Sequence, residues 1–207
     1  MIDHVVFDIG RVLIHWDPET PYRRLIADDT ARARFLAEVC SPAWNLEQDR
    51  GRGWPEGEAE AILRHPDKAD LIRAYRRLWK EMVPHAHDDT VALLRGLIAR
   101  GVDVTMLTNF AADTFREATA LYGFLGESRG VTVSGEIGLV KPDRRIYEHH
   151  ARRFDLTPER TLFIDDSVAN VEGAKAAGWQ AVHFTDAGQL AVDLARFGLA
   201  EAETRPA

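Results

Sequence analysis

The sequence predicts an α/β protein, a doubly wound, Rossmann-like parallel sheet into which an all-helical cap domain is inserted. Three observations predict it. Short continuous apolar runs such as Val5-Val6-Phe7 and Val102–Leu107 alternate with helical patterns, as expected of parallel strands covered on both faces. The alternation is interrupted once, from Pro18 to about Pro84, where apolar residues recur only at helical spacing. Polar side chains follow the apolar runs, as ligand-binding residues do at the carboxyl edge of an open parallel sheet: Asp8, then Thr108-Asn109, then Asp165-Asp166-Ser167.

Composition bounds the function. The chain has 207 residues, 45% hydrophobic and 29% charged, enough for one sizeable core and a small second module. Lys and Arg total 26 against 33 for Asp and Glu, a net charge of −7. With no long basic run, nucleic acid is not an expected partner. No apolar stretch approaches the roughly 20 residues of a membrane span, and the N-terminus lacks a signal-peptide pattern, so no membrane partner and a cytoplasmic location are expected. Cys40 is the only cysteine, which excludes an internal disulfide and a cysteine-rich zinc site; it reads as a small buried hydrophobe.

The elements justify themselves in order. His4–Phe7 is an apolar strand running into Asp8 and a glycine turn. In the helical region, Tyr22, Leu25 and Ile26 mark one helix and Phe35, Leu36 and Val39 the next, while Pro42, Gly51, Gly53, Pro55, Gly57 and Pro66 keep the helices short. Ala69–Met82 puts Leu71, Ile72, Tyr75, Leu78, Trp79 and Met82 on one face and predicts a single amphipathic helix. Trp16, Trp44, Trp54 and Trp79 lie in or beside this region and read first as its core, with a pocket lining as the alternative. Residues 17–85 are assigned to the cap, and 1–16 with 86–207 to the Rossmann-like core. Thr90–Arg100 is a helix closed by Gly101, and Val102–Leu107 a strand ending in Thr108-Asn109. Ala111–Tyr122 is helical, Val131–Val133 a strand, and Lys141-Pro142-Asp143 precedes a helix from about Arg144. Thr161–Ile164 is a strand, Val168–Ala177 a helix stopped by Gly178, Gln180–Phe184 a strand and Gly188–Phe197 a last helix. The polar tail from Glu201 is expected to fray.

Two or three carboxylates at one sheet edge repel each other unless a cation sits among them. Oxygen-only ligands without cysteine or clustered histidine favour Mg²⁺ over zinc. In such a site Asp8 is placed to attack phosphorus and form an aspartyl-phosphate that water then hydrolyses. Lys141, the Thr108 hydroxyl and backbone N–H groups after Asp8 would hold the phosphoryl oxygens.

FDIGRVLIHWD, LTN, VKPD and FIDDSVANVEGA together resemble the motifs of the haloacid dehalogenase (HAD) superfamily, in order along the chain and in surroundings. The resemblance covers nearly the whole chain, including a helical cap inserted after the first motif, and is nearest to the glucose-1-phosphate phosphatase-like and 2-haloacid dehalogenase-like subgroup. It implies a Mg²⁺-dependent phosphatase acting on a small phosphorylated metabolite. It makes Asp8 nucleophile and metal ligand, Thr108 and Lys141 phosphate holders, Gly10 a carbonyl ligand and Asp166 the acidic metal ligand. Asp165 is implied to act in catalysis by holding Lys141 or a metal-bound water, Asn109 to lie beside the site as a substrate-binding residue, and Asn170 to stand where many relatives carry a second acid. Arg11 is read either as reaching the substrate or as pairing with a surface acid.

One departure stands out. Phosphatases of this superfamily usually carry an aspartate two residues after the nucleophile as general acid and base, and here that position is Gly10; Val12 also replaces a common threonine. Some relatives share the D-x-G pattern. Metal-bound water or His15 is a substitute on this reading, although His15 reads first as a surface hairpin residue. Two alternatives remain open: a metal-free 2-haloacid dehalogenase in which Asp8 attacks carbon, and a catalytically silent phosphate-binding module. Against the first, the dehalogenase-like motif has a bulky aromatic followed by Gly-Thr where this chain has Gly10-Arg11-Val12. His85, His87, His149 and His150 read as exposed structural residues, and Arg23-Arg24, Arg76-Arg77 and Arg152-Arg153 as solvated helix faces. Hinges are expected near Asp17–Glu19 and Val83–Asp88. Substrate identity and oligomeric state are left open.

Overall fold

In a computed structural model, residues 1–199 are described; the tail expected to fray from Glu201 lies outside them. Strand β1 (His4–Phe7) is followed by six helices: α1 (Glu19–Leu25), α2 (Asp29–Glu38), α3 (Pro42–Asp49), α4 (Trp54–Arg64), α5 (Ala69–Arg77) and α6 (Trp79–Met82). The alternating part then runs α7 (Asp88–Ala99), β2 (Asp103–Thr108), α8 (Ala112–Leu121), β3 (Val131–Val133), α9 (Ser134–Ile137), α10 (Arg144–Phe154), β4 (Thr161–Asp165), α11 (Val168–Ala176), β5 (Gln180–His183) and α12 (Ala187–Arg196). The five strands form one parallel sheet in the order β3-β2-β1-β4-β5. This is the doubly wound α/β architecture that the alternation predicts.

β1 is central because both of its faces are apolar. Val5 and Phe7 pack on one side with Leu94, Met106 and Ile164. Val6 packs on the other with Leu107, Tyr147, Phe163 and Trp179. Side chains alternate across a strand, so only a fully covered strand tolerates three consecutive apolar residues, each 0% exposed. Phe7 pairs with Met106 of β2 and Ile164 of β4, which aligns the ends of the three strands. The chain leaves β1 toward β2 and β3 and later returns to β4 and β5 on the other side. The direction of winding therefore reverses beside β1, where a ligand crevice opens.

The helices between β1 and α7 share an aromatic core. Tyr22 meets Phe35 at 5.1 Å between ring centroids, and Trp44 meets Tyr75 at 5.3 Å. Ser41 caps α3 by accepting from the Trp44 N–H, and Asp28 caps α2 by accepting from the Ala31 N–H. The single helix expected over Ala69–Met82 is broken at Leu78, which leaves helical geometry at φ −103° and ψ 13°. The break serves two packing directions: Ile72 and Tyr75 face the aromatic core, whereas Trp79 turns to Phe110 beside the sheet, 5.8 Å between centroids.

The two connections to this helical segment pair with each other. The His15 N–H donates to the His85 carbonyl (3.0 Å), the Asp17 N–H to that of Met82 (2.9 Å) and the His87 N–H to that of Leu13 (2.8 Å). His15 stacks on His85 at 4.8 Å, with His87 edge-on to both. His150, expected to be exposed, is fully buried instead. It lies on the inward stripe of α10 with Ile146, Tyr147 and Phe154, and its ring nitrogens bond the hydroxyls of Thr132 (2.8 Å) and Thr105 (2.9 Å). Arg76, expected to be solvated, reaches from α5 to Asp113 and Glu117 on α8. Among the described residues, no helix is long and apolar enough to cross a membrane.

Candidate active site

Strand ends deliver the polar side chains. Asp8 follows β1, with its N–H donating to the Ile164 carbonyl of β4 at 2.9 Å. Thr108 ends β2 and Asp165 ends β4. Lys141 comes from the segment between α9 and α10, and the Asn109 side chain fixes it there. The Lys141 N–H donates to Asn109 Oδ1 (2.8 Å), and Asn109 Nδ2 donates to the Lys141 carbonyl (3.1 Å). The Asn109 amide, expected to bind substrate, is thus committed to the Lys141 backbone.

The Lys141 ammonium is the charge at the centre. Nζ lies 2.7 Å from Asp8 Oδ1 and 2.7 Å from Asp165 Oδ2, and donates to the Leu107 carbonyl at 3.1 Å. Three partners match its three protons. Burial would lower its pKa, but Asp165 and Asp8 outweigh that and raise it, so it stays charged. Asp165 is saturated: Oδ1 accepts from the Ser167 N–H (2.8 Å), Oδ2 from Lys141, and Asn170 Nδ2 lies within 3.1 Å of both oxygens. It is 0% exposed and orients Lys141. Burial, aided by Asp165 and Asp166 and opposed by Lys141, raises the Asp8 carboxyl to about 7. Asp166 is also raised, by burial first and then by Asp165, with Arg11 opposing.

A hard cation fits this donor set. One carboxylate oxygen from each of Asp8, Asp165 and Asp166 lies within 4.8 Å of the others. Three carboxylates against one buried ammonium leave a formal surplus of two negative charges, which a divalent ion offsets. Since the lone pairs of Asp165 are engaged, Asp8 and Asp166 are the carboxylates open to such an ion. Among the described residues no hydrogen bond occupies the Thr108 hydroxyl.

Arg11 stands at the solvent-exposed rim of this site, beside Asp166. Its backbone is left-handed, at φ 60°, because the Arg11 N–H and Ile14 carbonyl close a tight loop at 2.7 Å. The side chain is thrown outward, where Nε donates to the Trp16 carbonyl (3.3 Å) and a guanidinium nitrogen lies 3.9 Å from Asp166 Oδ2. Of its two expected roles, pairing with an acid is the one realised.

Beside the carboxylates lies a cavity lined by Gly10, Ile14, Trp16, Asn45, Asp49, Trp54, Trp79, Val83, Asn109, Phe110 and Thr114. Trp16, Trp54 and Trp79, read first as core, therefore also face this cavity. Among the described residues, no lysine or arginine lines it. Asn45 and Asp49, contributed by α3, are absent from the sequence-based site. Nothing in a short helix without a motif distinguishes two of its polar residues until the helix is seen to end over the sheet edge.

Fold and site together define a hydrolase of the haloacid dehalogenase-like class. The haloacid dehalogenase-like hydrolase family profile matches residues 2–178, and the chain belongs to that family. It is 28% identical over 184 residues to a sesquiterpene phosphatase, astK, of Aspergillus oryzae, covering 87% of this chain and 89% of that one. It is 31% identical over 127 residues to (S)-2-haloacid dehalogenase 1 of a Pseudomonas species, covering 60% and 53%. An HAD-like hydrolase of Porphyromonas gingivalis superposes with a TM-score of 0.70 at 24% identity, covering 98% of this chain and 100% of that one. An HAD enzyme of Bacteroides thetaiotaomicron, in complex with magnesium and inorganic phosphate, superposes with a TM-score of 0.67 at 22% identity, covering 90% and 96%. At these identities the structural likeness is one of fold.

Proposed function

We propose that the protein is a Mg²⁺-dependent phosphatase that transfers the phosphoryl group of a small phosphate monoester to Asp8 and releases it to water. The observation that carries the reading is the three-way grip of Lys141 on Asp8, Asp165 and Leu107, beside an Asp166 carboxylate left open. An ester formed by attack on carbon in a metal-free pocket does not call for the second open carboxylate. Asp8, Asp166 and the Gly10 carbonyl would hold Mg²⁺, whose positive charge would neutralise the phosphoryl oxygens and let an anionic carboxylate approach them.

Lys141 contributes its fixed charge to the transferring group, and Thr108 an uncommitted hydroxyl. Asp165 and Asn109 hold Lys141 in place, one by its ammonium and the other by its backbone. The helical segment 17–85 acts as a cap, hinged at the paired connections around His15 and His85, and closes the aromatic cavity over the organic part of the substrate. With Trp16, Trp54, Trp79 and Phe110 in its lining and no cation, the cavity suits an uncharged, largely apolar leaving group. The sesquiterpene substrate in the name of the A. oryzae relative is of that kind.

The test is steady-state hydrolysis of p-nitrophenyl phosphate and a panel of phosphate monoesters, with Mg²⁺ and with EDTA, alongside chloroacetate. Phosphate release that requires Mg²⁺ and vanishes in Asp8→Asn is expected. Chloride release without metal, in the absence of phosphate release, would replace this reading by the dehalogenase one.

A further inference from the structure

Phosphoryl transfer to Asp8 leaves the substrate oxygen as an alkoxide, which needs a proton unless it is unusually stable. The position two residues after Asp8 is glycine. A Cβ built on Gly10 meets nothing within 4 Å, so the position is open, and Gly10 itself lines the cavity. Among the described residues that line the same cavity, Asp49 is the one titratable side chain.

From this juxtaposition we infer that Asp49, delivered by the helical segment, is the general acid and base of the phosphatase reaction proposed above, in place of the group missing at position 10. Its placement is built. Asp49 is the last residue of α3, and its backbone carbonyl accepts from Ser134 Oγ at 2.5 Å. Ser134 also accepts from the Phe110 N–H at 2.8 Å, which ties the end of α3 to the loop after β2. Two glycines make the docking possible. Gly51 turns the chain at φ +107°, and a Cβ there would meet the Gly135 carbonyl at 3.2 Å. A Cβ on Gly135 would meet the Ala112 nitrogen at 2.7 Å and the Phe110 carbonyl at 2.8 Å. The carboxyl is oriented by Asn45, whose Nδ2 donates to Asp49 Oδ2 at 2.9 Å.

The environment favours a carboxyl that carries a proton. A helix C-terminus presents unpaired carbonyls and disfavours a nearby anion. Burial, with Asp8 adding to it, outweighs the Ala111 N–H and Lys141 and raises Asp49 to about 7. In the first step, an Asp8 oxygen bonds to phosphorus as the bond to the leaving oxygen breaks, and the Asp49 proton moves to that oxygen to give the alcohol. In the second, the Asp49 carboxylate takes a proton from the attacking water as the bond between phosphorus and Asp8 breaks. Phosphate leaves, and both carboxyl groups return to their starting states.

The experiment compares Asp49→Asn with wild type on two substrates, p-nitrophenyl phosphate and a simple alkyl phosphate, by kcat/KM, which reports the first step. The p-nitrophenolate ion leaves without a proton; an alkoxide does not. Loss of the acid should lower kcat/KM for the alkyl phosphate by about 10²- to 10⁴-fold and for p-nitrophenyl phosphate by only a few-fold, while kcat falls for both because the second step has lost its base. Retained activity on the aryl substrate also shows that the variant is folded. Equal losses of kcat/KM on both substrates, or no loss on either, would overturn the assignment. If the wild type hydrolyses neither substrate, it is the phosphatase reading that fails.

Discussion

Replacing Lys141 by methionine removes the charge while keeping most of the side chain's length and volume, and its consequence can be worked from the contacts. Lys141 Nζ is shared between Asp8 and Asp165, each at 2.7 Å, and the Leu107 carbonyl, in a side chain 1% exposed. Breaking a buried ion pair by deleting one partner costs about 3–5 kcal/mol, because the remaining charge stays buried. The upper end would need both carboxylates to stay ionised, and Asp8 already leans toward protonation. For the metal-free protein at pH 8 we expect a loss of about 3–4 kcal/mol, which with a urea m-value near 3 kcal/mol/M lowers the midpoint by about 1 M.

The pH dependence has a definite sign. Without Lys141 the folded-state pKa of Asp8 rises further above its unfolded value near 3.8. A carboxyl with a raised folded pKa contributes stability that is present below the unfolded pKa and lost as pH rises through the folded one. The variant should therefore be closer to wild type at pH 5 than at pH 8. Urea titrations at the two pH values, without divalent metal, decide the matter. A loss under about 1 kcal/mol at pH 8, or a deficit larger at pH 5, would refute the idea that Lys141 balances the carboxylates, since exposed pairs of that strength are common.

Two other expectations follow from the fold. Burial pushes His150 from 6.5 down to about 3, so the unfolded chain binds a proton that the folded one refuses. Its depressed folded pKa makes stability fall as pH drops from about 6.5 toward 3, by up to roughly 1.4 kcal/mol per unit. His150→Leu should be less stable at pH 7, through the lost hydrogen bonds, yet show a shallower decline between pH 6.5 and 4; parallel declines would contradict the buried neutral imidazole. Arg76→Ala removes the bridge from α5 to Asp113 and Glu117. Because these groups are partly exposed, the unfolding free energy should change by about 1 kcal/mol or less, while KM should rise through the closure of residues 17–85 proposed above. An unchanged KM would separate this bridge from closure.

The centre of the sheet was readable because β1, β2 and β4 are covered on both faces, and a covered strand shows as a largely apolar run whatever surrounds it. The motif residues were readable for a related reason: Asp8, Thr108 and Asp165 sit at or just after strand ends, where chain order alone implies a common edge, and Lys141 shortly precedes a helix that packs on the sheet. What depends on packing between distant segments was not readable. Leu78 ends α5 because Trp79 has to reach Phe110, and no local preference announces that. His150 shares the apolar stripe of Ile146, Tyr147 and Phe154, but nothing local shows that Thr105 and Thr132 will satisfy its ring there. Arg11 is held beside Asp166 by a loop closure at Ile14, and Asp49 enters the site only because two glycines let the end of α3 dock against the start of α9 and the loop after β2.

The most direct test of the account is mass spectrometry of the protein quenched in acid during turnover of p-nitrophenyl phosphate with Mg²⁺. The account predicts one added phosphoryl group on the peptide that contains Asp8, absent with EDTA and absent in Asp8→Asn. Sustained phosphate release by Asp8→Asn, or a phosphoryl group found on another residue, would contradict it.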